Sequence, residues 1–107
     1  MLLPKHWFMS AAYNAGFGSA VEAGEFLANL MEQQKYRCPY SGIELVLGVN
    51  AWLDHKMPVS RFPELRGDRS NVEWLDERVN KVKNAMTPEE FIRFCKLVAS
   101  NRCHIVR

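Results

Sequence analysis

The sequence predicts an α+β fold, and three observations carry that expectation. Two short stretches, "AWLDH" (51–55) and "VEWL" (72–75), have the length and residue types of β-strands. Two longer stretches, near 19–35 and from Thr87 onward, have apolar residues at helical spacing behind strong N-terminal caps. The chain has 107 residues, enough for one core and too few for two.

In chain order, residues 5–15 place Trp7, Phe8, Ala11, Ala12 and Ala15 near helical spacing, which predicts a short helix broken by Gly16 and Gly18. "SAVE" then opens a second helix. Ser19 can cap it while Glu22 reaches back, and Val21, Phe26, Leu27, Leu30 and Met31 give it one apolar face as far as Lys35. Residues 1–35 thus read as a helical scaffold. "CPYSG" (38–42) is a turn, "IELVL" (43–47) a candidate strand, and Gly48 to Asn50 a second turn. The strand 51–55 follows. Lys56 to Ser70 carries two prolines, a glycine and many charges, so it reads as a loop, long enough to suggest a function. After the strand 72–75, "DERVNKVKNA" (76–85) is helical in spacing, with Asp76 as its N-cap. Thr87, Pro88 and Glu90 start the last helix, and Phe91, Ile92, Cys95, Val98 and Ala99 line one face. Residues 101–107 read as a tail of the same compact domain.

Hydrophobic residues are 48% and charged residues 24%, which excludes a largely disordered chain. The net charge of +2 neither demands nor excludes a polyanionic partner. Three cysteines, no basic-then-apolar leader and no apolar run near the roughly 18 residues that span a bilayer predict a cytoplasmic protein with reduced thiols and no membrane partner. Cys38, Cys95, Cys103 and His104 fit no usual zinc spacing, so no structural zinc is expected.

Chemistry concentrates in the strand–loop–strand–helix unit. Asp54 and His55 end the first strand, Asn71 opens the second, and Asn80 lies on the helix. Phosphodiester hydrolysis needs a base for a water and a cation at the departing oxygen. A neutral imidazole, with an unperturbed pKa of about 6.5, suits the first task. A carboxylate with an amide oxygen suits Mg²⁺, a hard ion that keeps several waters. Lys83 and Arg61 are candidate phosphate contacts. The other basic residues between 56 and 83 alternate with acids and read as solvated surface. Trp52, Leu53, Val72 and Trp74 read as core.

"LDHKMPVSR…NVEWLDERVNKVKNAMTPEEFI" resembles the HNH endonucleases, the ββα-metal or His-Me finger nucleases. The likeness covers residues 36–93 and rests on Asp54-His55, Pro58, Ser60, Asn71, Trp74 and Asn80 in order. It departs from many members in having no Cys-x-x-Cys pair. The resemblance implies a hairpin-plus-helix nuclease core within residues 36–100. It implies His55 as general base on water, with Asn71 bracing the loop and His55. It also implies Asp54 and Asn80 around one Mg²⁺ or Mn²⁺, and a 5′-phosphate product. DNA is the expected substrate, with nicking or low sequence specificity; double-strand cutting then needs a homodimer or two encounters. An RNA-cleaving member and a catalytically weak accessory module are the alternatives. Strict strand alternation sends Asp54 and His55 to opposite faces, so the backbone is expected to bend at or just after His55, letting Asp54 meet Asn80.

Overall fold

A computed structural model describes residues 18–105, with side chains through Arg102. The expected helix at 5–15 and the side chains of Cys103 and His104 lie outside the described residues. The fold is α+β: helix α1 (Ala20–Gln33), strands β1 (Ala51–His55) and β2 (Val72–Asp76), then helices α2 (Glu77–Lys83) and α3 (Pro88–Ile105).

α1 begins as its sequence dictates. The Ser19 side chain accepts from the Glu22 N–H at 3.1 Å, and the Glu22 carboxylate accepts from the Gly18 N–H at 3.2 Å. The first bond satisfies one of the helix's unpaired first-turn donors, and the second ties the residue before the cap to the first turn. Lys35 and Tyr36 take left-handed φ values of 55° and 56°, and the chain leaves the helix there. Ala23, Leu27 and Met31 form the buried stripe.

β1 and β2 pair antiparallel, with Leu53 opposite Trp74, Asp54 opposite Glu73 and His55 opposite Val72. Side chains alternate across such a pair. One face therefore carries Trp52, Asp54, Glu73 and Leu75; the other carries Ala51, Leu53, His55, Val72, Trp74 and Asp76. Trp74 is fully buried, and its indole N–H donates to the Leu27 carbonyl of α1 at 2.9 Å. The core joins α1 to β2 through Ala23, Leu27, Met31, Cys38, Leu45, Ala51, Val72, Trp74 and Leu75.

Three side-chain amides stand in for missing backbone partners. Gln34 donates to the Trp74 carbonyl and accepts from the Trp74 N–H, both at 2.9 Å, as a neighbouring strand would. Asn50 accepts from the Val46 N–H at 2.7 Å and donates to the Glu44 carbonyl at 2.9 Å. Asn71 holds Met57 in the same manner. Each supplies one donor and one acceptor on a rigid plane, which is what an unpaired peptide unit requires.

The packing differs from the sequence expectation at several points. "IELVL" forms no strand. Arg37 and Glu44 make a single bridge, and the backbone bonds of the segment go to Tyr36, Cys38 and the Asn50 side chain. Trp52 is 43% exposed rather than core. The apolar stripe of α3 buries only Phe91; Ile92, Cys95 and Val98 are exposed.

The long loop is pinned. Pro63–Leu65 and Arg69–Asn71 are 3-10 turns, and Asp68 caps the second by accepting from the Ser70 N–H at 2.9 Å. Arg61 ties the loop to α3 and Arg69 ties it to α1, through Glu90 and Glu22. Among the described residues no helix is long and apolar enough to cross a membrane.

Candidate active site

The site is built where β1 stops. Pairing continues one bond past His55, with the Lys56 N–H donating to the Asn71 carbonyl at 2.8 Å. The backbone then bends at Lys56 and Met57. Asn71 is buried, and its amide closes a reciprocal clamp on that bend. Its Oδ1 accepts from the Met57 N–H at 2.8 Å, and its Nδ2 donates to the Met57 carbonyl at 3.0 Å. Pro58 follows, accepting from Arg61 and Phe62 to start the next turn.

Asp54 and His55 keep the opposite faces that alternation assigns. His55 shares the Trp74 face. Its Nε2 is buried and has no hydrogen-bond partner among the described residues. Asp54 lies on the other face, beneath the end of α2. α2 gets there because β2 runs straight into it. Asp76 ends the strand and caps the helix, accepting from the Arg78 N–H at 3.0 Å and from the Asn50 amide at 2.9 Å.

The partner of Asp54 is Lys83, the last residue of α2. Its ammonium donates to Asp54 Oδ2 at 2.8 Å and to the His55 carbonyl at 3.2 Å. Lys83 is fully buried and the Asp54 side chain is 16% exposed. Lysine is almost never buried unless paired, and here the pair is tight. The sequence made Lys83 a candidate phosphate contact on the cation-facing side of its helix; in the fold its ammonium faces the Asp54 carboxylate inside. Arg61 is also engaged. It holds Glu90 through two bonds, at 2.5 and 3.2 Å, and the Ala85 carbonyl at 3.1 Å. That pairing draws the Glu90 carboxyl down to about 2, with the Thr87 N–H assisting.

Asn80 is half-buried, one turn before Lys83 and so on the same side of α2. Its side chain forms no hydrogen bond among the described residues, while its carbonyl accepts from the Asn84 N–H at 3.0 Å. The fold puts His55 and Asn71 beside the bend, and places Asp54 on the opposite face of β1, against Lys83. Arg61 is drawn instead to the start of α3.

No protein-family model and no curated protein matches this chain.

Two further residues belong to the Asp54 side, and sequence reasoning missed both. Glu73 is buried directly opposite Asp54 and accepts from the Tyr40 hydroxyl at 3.3 Å. Burial pushes the Glu73 carboxyl up, and Asp54 adds to that, while Lys56, Lys83 and Tyr40 pull against it. Burial, with Glu73 beside it, also raises the Tyr40 hydroxyl above its ordinary range. The signal was available in principle, because pairing Leu53 with Trp74 puts Asp54 against Glu73.

Among the described residues no group of three or more His, Cys, Asp or Glu side chains could hold a metal ion. A Mg²⁺ site asks less of the protein: one or two carboxylates, with waters and a substrate phosphate completing the shell. Asp54 and Asn80 are oxygen donors of that kind, so the donor set fits a hard cation, although Asp54 is already neutralised by an ammonium.

Proposed function

We propose that the chain is a metal-dependent endonuclease of the HNH type, with β1, β2 and α2 as its His-Me finger core. One observation carries the reading: the buried Asn71 amide clamps Met57, two residues after His55, at 2.8 and 3.0 Å. A clamp that fixes the chain beside a general base supports catalysis, where a misplacement of about 1 Å can cost on the order of 10²-fold. The buried Nε2 of His55, without a partner among the described residues, also favours a histidine held for another molecule.

In this reading His55 takes the proton of a water as it attacks phosphorus. Asn71 acts through the bend, keeping the imidazole in place. Asp54 and Asn80 hold a divalent cation, Mg²⁺ or Mn²⁺. When bound, that ion supplies charge neutralisation at the phosphate and at the departing 3′ oxygen. The products are a 5′-phosphate and a 3′-hydroxyl, and one site cuts one strand. DNA is the proposed substrate. RNA is the variant to test beside it, since a phosphate-centred site senses the 2′ position weakly.

A second reading has its own support. Asp54 is paired with Lys83 through Oδ2 and Arg61 is held by Glu90, which favours a catalytically weak module that binds nucleic acid or a protein. Supercoiled plasmid separates the two. The endonuclease converts it to nicked circles in Mg²⁺ and stops in EDTA. Binding without nicking in Mg²⁺ and in Mn²⁺ selects the module, and equal cutting of a matched RNA moves the substrate assignment.

A further inference from the structure

We infer that Lys83 is a built-in counter-ion that competes with the divalent cation for Asp54, so that cation and phosphate enter the site together and neither enters well alone. The inference rests on Asp54 as a cation ligand, as proposed above.

Three observations lead to it. Lys83 has no exposed surface, and its ammonium meets Asp54 Oδ2 at 2.8 Å and the His55 carbonyl at 3.2 Å. A buried ammonium must keep an anionic or carbonyl partner, because stranding it is expensive. Asn80, the other proposed cation ligand, sits one turn earlier on the same side of α2, so a cation held by Asp54 and Asn80 would lie on the side of the helix that Lys83 occupies. Two positive charges drawn to one carboxylate repel each other where water is scarce. The single charge of Asp54 is thus divided between the ammonium and the metal even with Glu73 alongside, and a further anion favours serving both.

A nucleic-acid phosphate brings that charge. Its oxygens offer the ammonium a charge-assisted bond equal in kind to the one it leaves. Lys83 then turns from Asp54 to the phosphate, and Asp54 is released to the cation. Linkage makes the effect reciprocal: phosphate tightens cation binding by the factor by which the cation tightens phosphate binding. Lys83 is a positioning residue here, since it sets the charge state of Asp54 and performs no bond chemistry.

The test is Mn²⁺ titrated into the full chain without nucleic acid, with free ion followed by electron paramagnetic resonance. Lys83→Met is expected to bind Mn²⁺ about 10-fold or more tighter than wild type, within the usual range of coupling between sites. Adding Asp54→Asn is expected to abolish the gain. Unchanged affinity in Lys83→Met overturns the inference, and so does a gain that survives Asp54→Asn. Circular dichroism checks that the variant folds. If it does not, wild type decides: the ¹⁵N signal of the Lys83 ammonium shifts on Mg²⁺ addition if the cation displaces it. A signal unmoved at saturating Mg²⁺ overturns the inference. Nicking that ignores His55→Ala would sink the endonuclease reading and leave the Mn²⁺ result standing, so the two failures are distinguishable.

Discussion

Replacing Asn71 by alanine should damage the protein in two measurable ways. The variant removes both bonds to Met57, at 2.8 and 3.0 Å, and leaves that peptide's N–H and carbonyl without partners at a partly buried bend. A made hydrogen bond contributes about 1 kcal/mol net, and a stranded buried group costs about 1–3 kcal/mol. Some water will reach the bend, so the sum is about 2–4 kcal/mol. Urea unfolding followed by Trp fluorescence reads this as a lower midpoint with an unchanged slope. Plasmid nicking should fall on the order of 10²-fold, because a shift of about 1 Å at His55 suffices for that. Asn71→Asp should not rescue either property. It keeps an acceptor for the Met57 N–H but turns an oxygen against the Met57 carbonyl, where a donor is needed. A loss below about 1 kcal/mol with native nicking would refute the clamp.

Breaking the Asp54–Lys83 pair from one side should cost about 3–5 kcal/mol, since an unpaired charge stays inside; a double-mutant cycle of Asp54→Asn and Lys83→Met should show that the pair costs less to remove than the two singles summed. Gln34→Ala should cost about 1–3 kcal/mol in thermal unfolding by exposing the outer N–H and carbonyl of Trp74. Glu90 has its carboxyl lowered from 4.5 to about 2 by Arg61 and the Thr87 cap, so its contribution is present above pH 4.5 and lost as pH falls through about 2. The stability gap between wild type and Glu90→Gln should therefore close across that acid window in a pH series of melts.

Much of this fold was legible because its signals are local. "AWLDH" is β1 residue for residue, and Ser19 with Glu22 marked the start of α1. Thr87 and Glu90 bond reciprocally at 2.9 and 3.2 Å, as their spacing promised. What escaped the sequence depends on tertiary partners. The absence of strand structure in "IELVL" follows from where its backbone bonds go, and Asn50, Tyr36 and Cys38 take them. The burial of Lys83 follows from the hairpin register, which sets Asp54 on the α2 side. Lys83 read as a phosphate contact because the carboxylate beneath it is supplied by strand pairing and not by the sequence of α2. Trp52 shows the converse, since apolar type does not tell which residue of a face the next element will cover.

The central claim is that the bend after β1 holds a catalytic histidine, and the rate of supercoiled plasmid nicking in Mg²⁺ tests it most directly. Wild type and His55→Ala are compared at equal, saturating enzyme, with EDTA as the blank. The account predicts an EDTA-sensitive wild-type rate and a loss on the order of 10²–10⁴-fold in His55→Ala. Equal rates for the two proteins would contradict it.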